Sequence, residues 1–385
     1  MYRSIAIAVV IFIMISCKQE KPNLFEASNS LGKPLQKIDS FVLLLDSMSN
    51  YEIFSHQLVD IADKEYLYVL NKQHRSIEAY DLDSGHLIKR FRIITEEPYG
   101  IPNPYGFFFA NHDTLLIFNQ NSFKKTQLLN SAGELKGSFT PDNMMEYKYG
   151  LNHYSLPTAQ SWLIDKKIYF AVLPTMETSD PTNINTNLGF SGIFDLNANK
   201  LIQVSPITFP YSYIGKGWSS FHTSFSWTKN SNNEIVVSWN AMDSLYIYNL
   251  KFELIKKVAA KSHFLNTIEP IKKGSNLEMH LHHAIYSGLY RRILYDPYRD
   301  CYYRMVIHGR DTHKQSDTNS RAFELSEFSV MVLTSEFEII AESKFEGGQY
   351  NIFTSFVSKR GLAFPKTNYF DKSLEEEKLY IDIFR

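Results

Sequence analysis

Three histidines lie close together in the sequence: His280, His282 and His283. On a β-strand, His280 and His282 would project to the same side, an arrangement that suits a bound metal ion. A metal site needs further ligands, and nothing in the sequence brings His308 or His313 near this group. The sequence therefore predicts no metal site and no cofactor. We assign His282 and His283 to a polar loop surface that contacts a ligand.

A stretch rich in arginine and tyrosine follows, with Arg291, Arg292 and Arg299 as its cations. Guanidinium groups suit carboxylate or phosphate ligands, because they donate two parallel hydrogen bonds. The alternative is that these arginines stack on tyrosines of neighbouring strands. Those tyrosines are Tyr290, Tyr295, Tyr298, Tyr302 and Tyr303. We favour stacking, so these arginines are not among the predicted binding residues.

Two segments rich in aromatic residues are candidates for ligand binding. The first surrounds Gly215 and Gly217, and the second spans residues 97–104. Aromatic rings in such loops stack on sugars or anchor a protein partner. The candidate residues are Tyr211, Tyr213, Trp218 and His222 in the first segment, and Tyr99 and Asn103 in the second. The alternative for both segments is packing in the core.

The chain carries none of the motifs that mark common catalytic sites. We find no Gly-x-Ser-x-Gly elbow, no His-Glu-x-x-His pair and no phosphate-binding loop. The paired acids of glycosidases cannot be identified from spacing, since their separation in space defines them. The sequence therefore predicts no catalytic residue and leaves enzymatic activity open.

The first 17 residues have the composition of a bacterial export signal. Arg3 precedes an apolar run over residues 5–15, and Ser16 and Cys17 follow it. The run is about half of the ~20 residues that a membrane-spanning helix needs, so it indicates a signal peptide over residues 1–16. The sequence of residues 14–17 resembles a lipobox, which predicts that Cys17 carries lipid (palmitate). The alternative is an ordinary secreted leader.

Composition excludes nucleic acid as a partner. The chain has 40 Lys and Arg against 41 Asp and Glu, and removal of Arg3 with the leader leaves 39 against 41, a net charge of −2. Such a chain has no basic excess for phosphate backbones. The only cysteines are Cys17 and Cys301. If Cys17 is lipidated, Cys301 has no partner for an intramolecular disulfide. We expect Cys301 to be a buried small side chain.

The remainder of the chain is a train of short apolar strands separated by turns. Aromatic residues, which favour strands, make up 15% of the sequence. The strands group into units of four. The strands at 135–139, 235–239 and 339–345, for example, each belong to a different unit. The five complete units span 55–93, 105–139, 159–207, 223–258 and 289–345. Four strands per unit are typical of a β-propeller blade.

A sixth unit over 352–384 is one strand short, and an unpaired strand over 35–45 precedes the first complete unit. We therefore predict an all-β, six-bladed propeller, a single domain over 35–385, in which the N-terminal strand completes the last blade. Such closure leaves no open sheet edge. Seven blades are the alternative, since segment 261–288 has room for more strands. We see no helix longer than one or two turns.

The connections of a four-stranded blade fall on two faces. Turns between its first and second and between its third and fourth strands lie on the short-loop face. Links from the second to the third strand and from blade to blade lie on the long-loop face. The three long segments 174–188, 261–283 and 309–327 all fall on the long-loop face. Long connections are often functional, so we predict that this face binds the ligand or partner, with Arg310 as a further contact.

The sequence resembles the uncharacterised Bacteroidetes lipoprotein family called domain of unknown function 4221. The resemblance rests on the leader, the unit over 66–93 with its following Glu97-Pro98-Tyr99-Gly100 link, and residues 295–304. Glu97 stands where that family often has Gly. The resemblance implies a lipidated envelope propeller of unknown activity, and it transfers no catalytic residue.

These observations predict a lipid-anchored binding or protein-interaction module of the outer membrane. The ligand is a glycan, a peptide or an envelope protein, and the alternative is a propeller lyase or hydrolase that acts on glycans. No Asp follows Cys17, which favours the outer membrane, on its periplasmic or external side. Segment 17–34 is a polar tether, whose residues 18–34 reach about 20–25 Å. Because the 35–45 strand begins on the short-loop face, we expect this face towards the membrane.

Overall fold

The computed structural model describes residues 32–111, 113–119, 125–143, 156–172, 176–204, 207–310 and 320–385. Within these ranges the chain forms six antiparallel sheets of four strands each, arranged in a ring. The fold is therefore a six-bladed β-propeller, as the sequence predicts. Cys17 and the leader lie outside the described residues.

The strands are numbered in chain order. The first half contains β1 (Lys37–Leu44), β2 (His56–Ile61), β3 (Lys64–Asn71), β4 (Ser76–Asp81), β5 (Leu87–Arg92), β6 (Pro104–Asn111), β7 (Thr114–Asn119), β8 (Thr126–Leu129), β9 (Leu135–Phe139), β10 (Trp162–Ile164), β11 (Lys167–Ala171) and β12 (Ser191–Asp195). The second half contains β13 (Lys200–Val204), β14 (Phe225–Lys229), β15 (Ile235–Trp239), β16 (Ser244–Tyr248), β17 (Leu254–Ala259), β18 (Leu289–Asp296), β19 (Cys301–Ile307), β20 (Phe328–Thr334), β21 (Ile339–Phe345), β22 (Phe356–Ser358), β23 (Gly361–Pro365) and β24 (Lys378–Phe384).

Blades 1 to 5 are consecutive runs of four strands that begin at β2, β6, β10, β14 and β18. These first strands contact one another between blades, as in β14 with β18 and β2 with β22, so they form the inner ring around the axis. Turn chemistry closes the outer hairpins. The Asn130 side chain, for example, accepts from the backbone N–H of Ala132 (3.0 Å) and Glu134 (2.9 Å), an Asx turn between β8 and β9.

The last blade has the order β22-β23-β24-β1, so the N-terminal strand is its outermost strand. Phe41 pairs with Ile381, and Leu43 pairs with Leu379. The Gln36 N–H donates to the Arg385 carbonyl at 2.7 Å, at the junction where β24 ends and β1 begins. The predicted closure is confirmed, and so is the start of this strand on the short-loop face.

The prediction that no helix exceeds two turns is wrong. Helix α1 spans Leu277–Ser287, in the link between β17 and β18. The Asn276 side chain caps it by accepting from the Met279 N–H at 2.9 Å, and Gly288, at φ 70°, ends it. This helix occupies the segment that the seven-blade alternative needed for strands. None of the helices in the described residues is long and apolar enough to cross a membrane.

Apolar side chains between adjacent blades make the core. Between blades 3 and 4, the fully buried Trp239 lies against Phe190, Phe209, Tyr213 and Phe225, with ring centroids 4.9–5.7 Å apart. Such edge and tilted contacts add to the area that each ring buries. Blade stacking of this kind holds the inner strands at fixed positions around the axis.

Candidate functional site

The main cavity in the described part of the chain lies inside the ring of inner strands. It has a volume of about 400 Å³ and is lined from five of the six blades. Its lining includes His56 and Asp60 of β2, Trp162 of β10, Thr228 of β14, Arg292 of β18 and Val357 of β22. The cavity is therefore the central channel of the propeller.

The channel opens on the short-loop face. Its lining includes Asn230 and Ser231, in the turn between β14 and β15, and Pro297 and Tyr298, in the turn between β18 and β19. Turns between first and second strands all lie on that face. The inner end is marked by His56 and Phe356, the first residues of their strands.

Aromatic and polar groups form the rim. The Tyr295 hydroxyl lies 2.8 Å from Asp300 Oδ1 and 3.0 Å from Ser231 Oγ. Tyr298 is 43% exposed. Trp162 packs on Trp227, with ring centroids 4.8 Å apart. The rim thus offers ring faces and hydroxyl groups to a ligand that enters from the short-loop face.

A buried cation, Arg292, lines the inner end of the channel, with 2% of its surface exposed. Its Nη1 donates to the carbonyl of Phe353 and, at 3.4 Å, to that of Ile352. Its Nε is buried and has no partner among the described atoms. No carboxylate of the described residues pairs with it, and burial lowers its pKa to about 9. The guanidinium is therefore only partly satisfied.

His56 lies beside Arg292 and is 6% exposed. Its Nε2 lies 3.3 Å from the Ser355 carbonyl, so Nε2 carries the proton of the neutral ring. Its Nδ1 is buried and, among the atoms that the structure describes, has no partner. Burial, together with the Arg292 charge, lowers the His56 pKa to about 3. The inner end thus contains two buried atoms without a partner among the described atoms, the donor Arg292 Nε and the acceptor His56 Nδ1.

The other charges of the channel are already engaged. The Asp60 carboxylate forms a salt bridge with Lys359, with 2.7 Å between Asp60 Oδ2 and Lys359 Nζ. The Lys229 ammonium donates to Asn233 Oδ1 at 3.0 Å. Asp60 is the one carboxylate in the described lining. The electrostatic balance of the channel is therefore positive, with Arg292 as its innermost charge.

The predicted binding residues lie elsewhere, in long-loop-face connections, and none belongs to the described channel lining. Tyr213, Trp218 and His222 are 0–2% exposed. Tyr213 donates from its hydroxyl to the His222 carbonyl at 2.7 Å, and Trp218 Nε1 donates to the Tyr213 carbonyl at 3.1 Å. These three residues belong to the core, the alternative that the sequence left open. Tyr211, by contrast, is 93% exposed.

The remaining predicted residues lie in other connections of the long-loop face. Tyr99 is 52% exposed, and its carbonyl accepts from Gln127 Nε2 at 2.8 Å. Asn103 is exposed beside it. His283 lies on α1 with its ring 5.2 Å from that of His222, while His282 approaches Glu278. The Arg310 N–H donates to the Ile285 carbonyl at 3.1 Å.

His280, His282 and His283 lie on helix α1, so the segment forms neither the predicted loop nor the strand that would have suited a metal. Residues two apart on a helix point in different directions, whereas residues three apart share a face. His280 is buried, and its Nδ1 accepts from the Ser220 N–H at 3.1 Å. Among the described residues no three His, Cys, Asp or Glu side chains form a group suited to a metal.

A smaller cavity of about 280 Å³ lies on the long-loop face, lined by residues of blade 1 and of the link from β1 to β2. Its lining includes Glu52, Phe54 and Lys72. The Lys72 ammonium lies 3.2 Å from the centroid of the Phe54 ring, a cation–π contact, and burial lowers its pKa to about 8. None of the predicted binding residues lines this cavity either.

Sequence reasoning missed the residues that build the channel. His56, Asp60 and Trp162 carry no motif, and Arg292 was assigned to stacking. Its neighbour Arg291 does stack on a ring, but on Phe353 in the link between blades 5 and 6 (3.9 Å to the ring centroid) and not on a tyrosine of its own blade. One signal was present: Arg292 is a charge inside the first strand of a blade, a position that lies next to the axis.

Comparison with known proteins identifies the family. The profile described as Domain of unknown function (DUF4221) matches residues 37–344, and the chain belongs to this family. The crystal structure of a DUF4221 member from Bacteroides vulgatus is similar, with a TM-score of 0.80, 22% identity, and coverage of 91% of this chain and 98% of that chain.

More distant structures share little beyond a general resemblance. A luciferin-regenerating enzyme aligns with a TM-score of 0.47 and 8% identity, over 90% of this chain and 95% of that chain. Virginiamycin B lyase from Staphylococcus aureus aligns with a TM-score of 0.43 and 10% identity, over 90% of this chain and 99% of that chain. A comparison with curated proteins finds no match.

Proposed function

We propose that this protein is a lipid-anchored binding module of the bacterial cell envelope, whose central channel holds a small ligand. The observation that supports it is the channel itself, a cavity of about 400 Å³ with aromatic rings and a few placed polar groups. Small-molecule sites have volumes of about 300–1,000 Å³ and this kind of lining. The family resemblance is consistent with export.

The anchor is the lipid on Cys17 in the outer membrane, through the tether over residues 17–34. Because β1 begins on the short-loop face, this tether brings that face towards the membrane. The channel mouth then faces the membrane across a gap of about 20–25 Å, the reach of the tether. Such a gap admits small molecules more readily than folded proteins, which agrees with the size of the channel.

The sequence predicted the ligand on the long-loop face. The three long segments do belong to that face by topology, but the main cavity in the described chain opens on the other face. We therefore place the small ligand in the channel. The long-loop face, where Tyr211 is fully presented to solvent, remains our proposed surface for a larger envelope partner.

The enzyme alternative receives less support. A paired-acid glycosidase needs two carboxyl groups about 5–10 Å apart, and the described channel lining holds Asp60 alone, engaged by Lys359. Binding without turnover is the simpler function for this lining. Incubation of glycan hits with the protein, followed by mass spectrometry, should therefore return them unchanged, whereas cleaved products would favour the enzyme.

The channel is tested by a thermal-shift screen of glycans, peptides and small metabolites. A blocking variant, Val357→Trp, places a large ring in the lining, and Tyr211→Ala is its control on the long-loop face. We expect small-molecule hits to lose their shift in Val357→Trp and to keep it in Tyr211→Ala. Hits that behave in the opposite way would refute the channel as the site.

The anchor is tested separately by metabolic labelling with palmitate in a Bacteroidetes host, followed by membrane fractionation. The protein should incorporate label and co-fractionate with the outer membrane. Cys17→Ala should lose both properties, since its thiol is the proposed acceptor. Label that persists in Cys17→Ala would contradict lipidation at this residue.

A further inference from the structure

The inner end of the channel is built around a bulge in β18. Tyr290 pairs with Val306 and Arg292 pairs with Met305, so Arg291 is an extra residue in the strand. A bulge redirects the side chains that follow it, and bulges are common next to binding sites. Here Arg291 stacks on Phe353, while Arg292 lies in the channel lining.

Arg292 is a buried cation without a described counter-charge. Two carbonyl oxygens accept from its Nη1, but they carry only partial charges, and Nε lacks a partner within the described ranges. Burial of an unpaired charge costs several kcal/mol, so buried charges in proteins are normally paired. The Arg292 side chain is 2% exposed and lines a cavity, so the simplest counter-charge for it is an anion that enters this cavity.

We infer that the inner end of the channel binds a small hydroxycarboxylate. This assignment rests on the proposed function and names its ligand class. Arg292 donates from Nε to the carboxylate, and His56 Nδ1 accepts a hydrogen bond from the hydroxyl of the ligand. Trp162 and the tyrosines of the rim contact the rest of a larger ligand, such as the ring of a sugar acid.

The single charge favours a carboxylate over a phosphate. One guanidinium balances one negative charge, and its planar donors match the two oxygens of a carboxylate. A doubly charged phosphate would leave one buried charge unbalanced at this end of the channel. The other charged groups of the lining do not supply the difference, since Lys229 lies at the mouth and Asp60 is negative.

The tautomer of His56 favours a hydroxyl beside that carboxylate. Because Nε2 donates to the Ser355 carbonyl, Nδ1 of the neutral ring is an acceptor. An acceptor is satisfied by an O–H group and repelled by a second carboxylate oxygen. A hydroxycarboxylate provides both groups within one small molecule and so satisfies both orphaned atoms.

The experiment measures thermal unfolding of the purified protein with sodium glycolate, acetate, phosphate or chloride at equal ionic strength, at about pH 8, where histidine is neutral. Glycolate should raise the unfolding temperature most, acetate less, and phosphate no more than chloride. Arg292→Met should weaken glycolate binding about tenfold or more, which is the loss of one charge-assisted hydrogen bond.

Two further variants guard against misfolding and against a general effect of charge. Arg304→Met removes another buried arginine that does not line the channel, so its glycolate shift should persist. His56→Phe should respond equally to glycolate and acetate, because the hydroxyl acceptor is gone. A wild-type protein that responds to glycolate as to chloride, or an unchanged glycolate response in Arg292→Met, would overturn the inference.

The two proposals fail in different ways. Screen hits that Val357→Trp blocks but Arg292→Met leaves unchanged would keep the channel as the site and refute the hydroxycarboxylate. Hits that neither variant affects would refute both the channel and its ligand class. A phosphate response that exceeds the glycolate response would also refute the ligand class, since it requires more positive charge than the described lining supplies.

Discussion

Blade 5 contains two buried arginines on adjacent strands whose surroundings differ. Arg304 on β19 is 0% exposed, and its guanidinium lies 3.7 Å from the Tyr290 ring centroid. It donates to Ser238 Oγ (3.0 Å) and to the carbonyls of Met242 (2.5 Å), Asp243 (2.8 Å) and Ala260 (2.5 Å). Arg292 on β18 has two carbonyl partners, whereas its Nε has none in the part of the chain that the structure describes.

The difference separates a structural arginine from a binding one. Arg304 lies between blades 4 and 5, where its hydrogen bonds tie the ends of β16 and β17 to β19. All of its nitrogens are used within the protein. Arg292 lines a cavity and its Nε has no partner among the described atoms, so we assign the missing partner to a ligand in that cavity. Burial alone does not identify a site, whereas burial with an unfilled hydrogen bond next to a cavity does.

The largest expected effect is that of Arg304→Met on stability. Three backbone carbonyls lose their donor, and each unsatisfied buried group costs about 1–3 kcal/mol. We expect the free energy of unfolding, measured by urea denaturation, to fall by about 3–4 kcal/mol. Arg304→Lys should recover part of this loss. A loss below about 1 kcal/mol would show that these hydrogen bonds are not structural.

The next effect is a pH dependence that comes from the histidine beside Arg292. The folded-state pKa of His56, about 3, lies below its unfolded value of about 6.5. The unfolded chain therefore binds more protons between these values, and stability falls as the pH drops below about 6.5 towards 3. His56→Phe should remove about 2 kcal/mol of the loss between pH 7 and pH 5.

His222 provides the matched control for that measurement. Burial also lowers its pKa to about 3, but it lies on the long-loop face with Nε2 at 3.0 Å from the Gly288 carbonyl. His222→Phe should reduce the pH dependence of urea denaturation by a similar amount and leave the glycolate shift intact. A pH dependence unchanged in His56→Phe would contradict the burial of a neutral ring there.

The smallest expected effect on stability is that of Arg292→Met. Loss of hydrogen bonds to the Phe353 and Ile352 carbonyls is offset by removal of a buried charge that has no counter-charge among the described residues. We expect the free energy of unfolding to stay within about 1 kcal/mol of the wild-type value. A loss as large as that of Arg304→Met would make Arg292 structural and remove the contrast between the two residues.

Sequence alone predicted most of the fold, because its signals are local. The predicted strands at 135–139, 235–239 and 339–345 coincide with β9, β15 and β21. Alternating apolar residues and Asx turns such as that of Asn130 set these limits over a few residues. Helix α1 was missed although Asn276 and Gly288 mark its ends, because segment 261–283 was interpreted as a long loop.

The site was not predictable in the same way, because long-range contacts build it. Arg292 Nη1 reaches the Phe353 carbonyl, 61 positions away, and His56 reaches the Ser355 carbonyl, 299 positions away. Only ring closure brings these residues together. Conversely, the residue types of Tyr213 and Trp218 predicted binding, but the link that carries them folds inward between blades.

The most direct test of the account is a crystal structure of the protein soaked in glycolate. The account predicts glycolate at the inner end of the channel, with a carboxylate oxygen about 2.7–3.2 Å from Arg292 Nε and its hydroxyl at similar distance from His56 Nδ1. An empty channel at saturating glycolate, or glycolate bound only in the cavity beside Lys72 on the long-loop face, would contradict it.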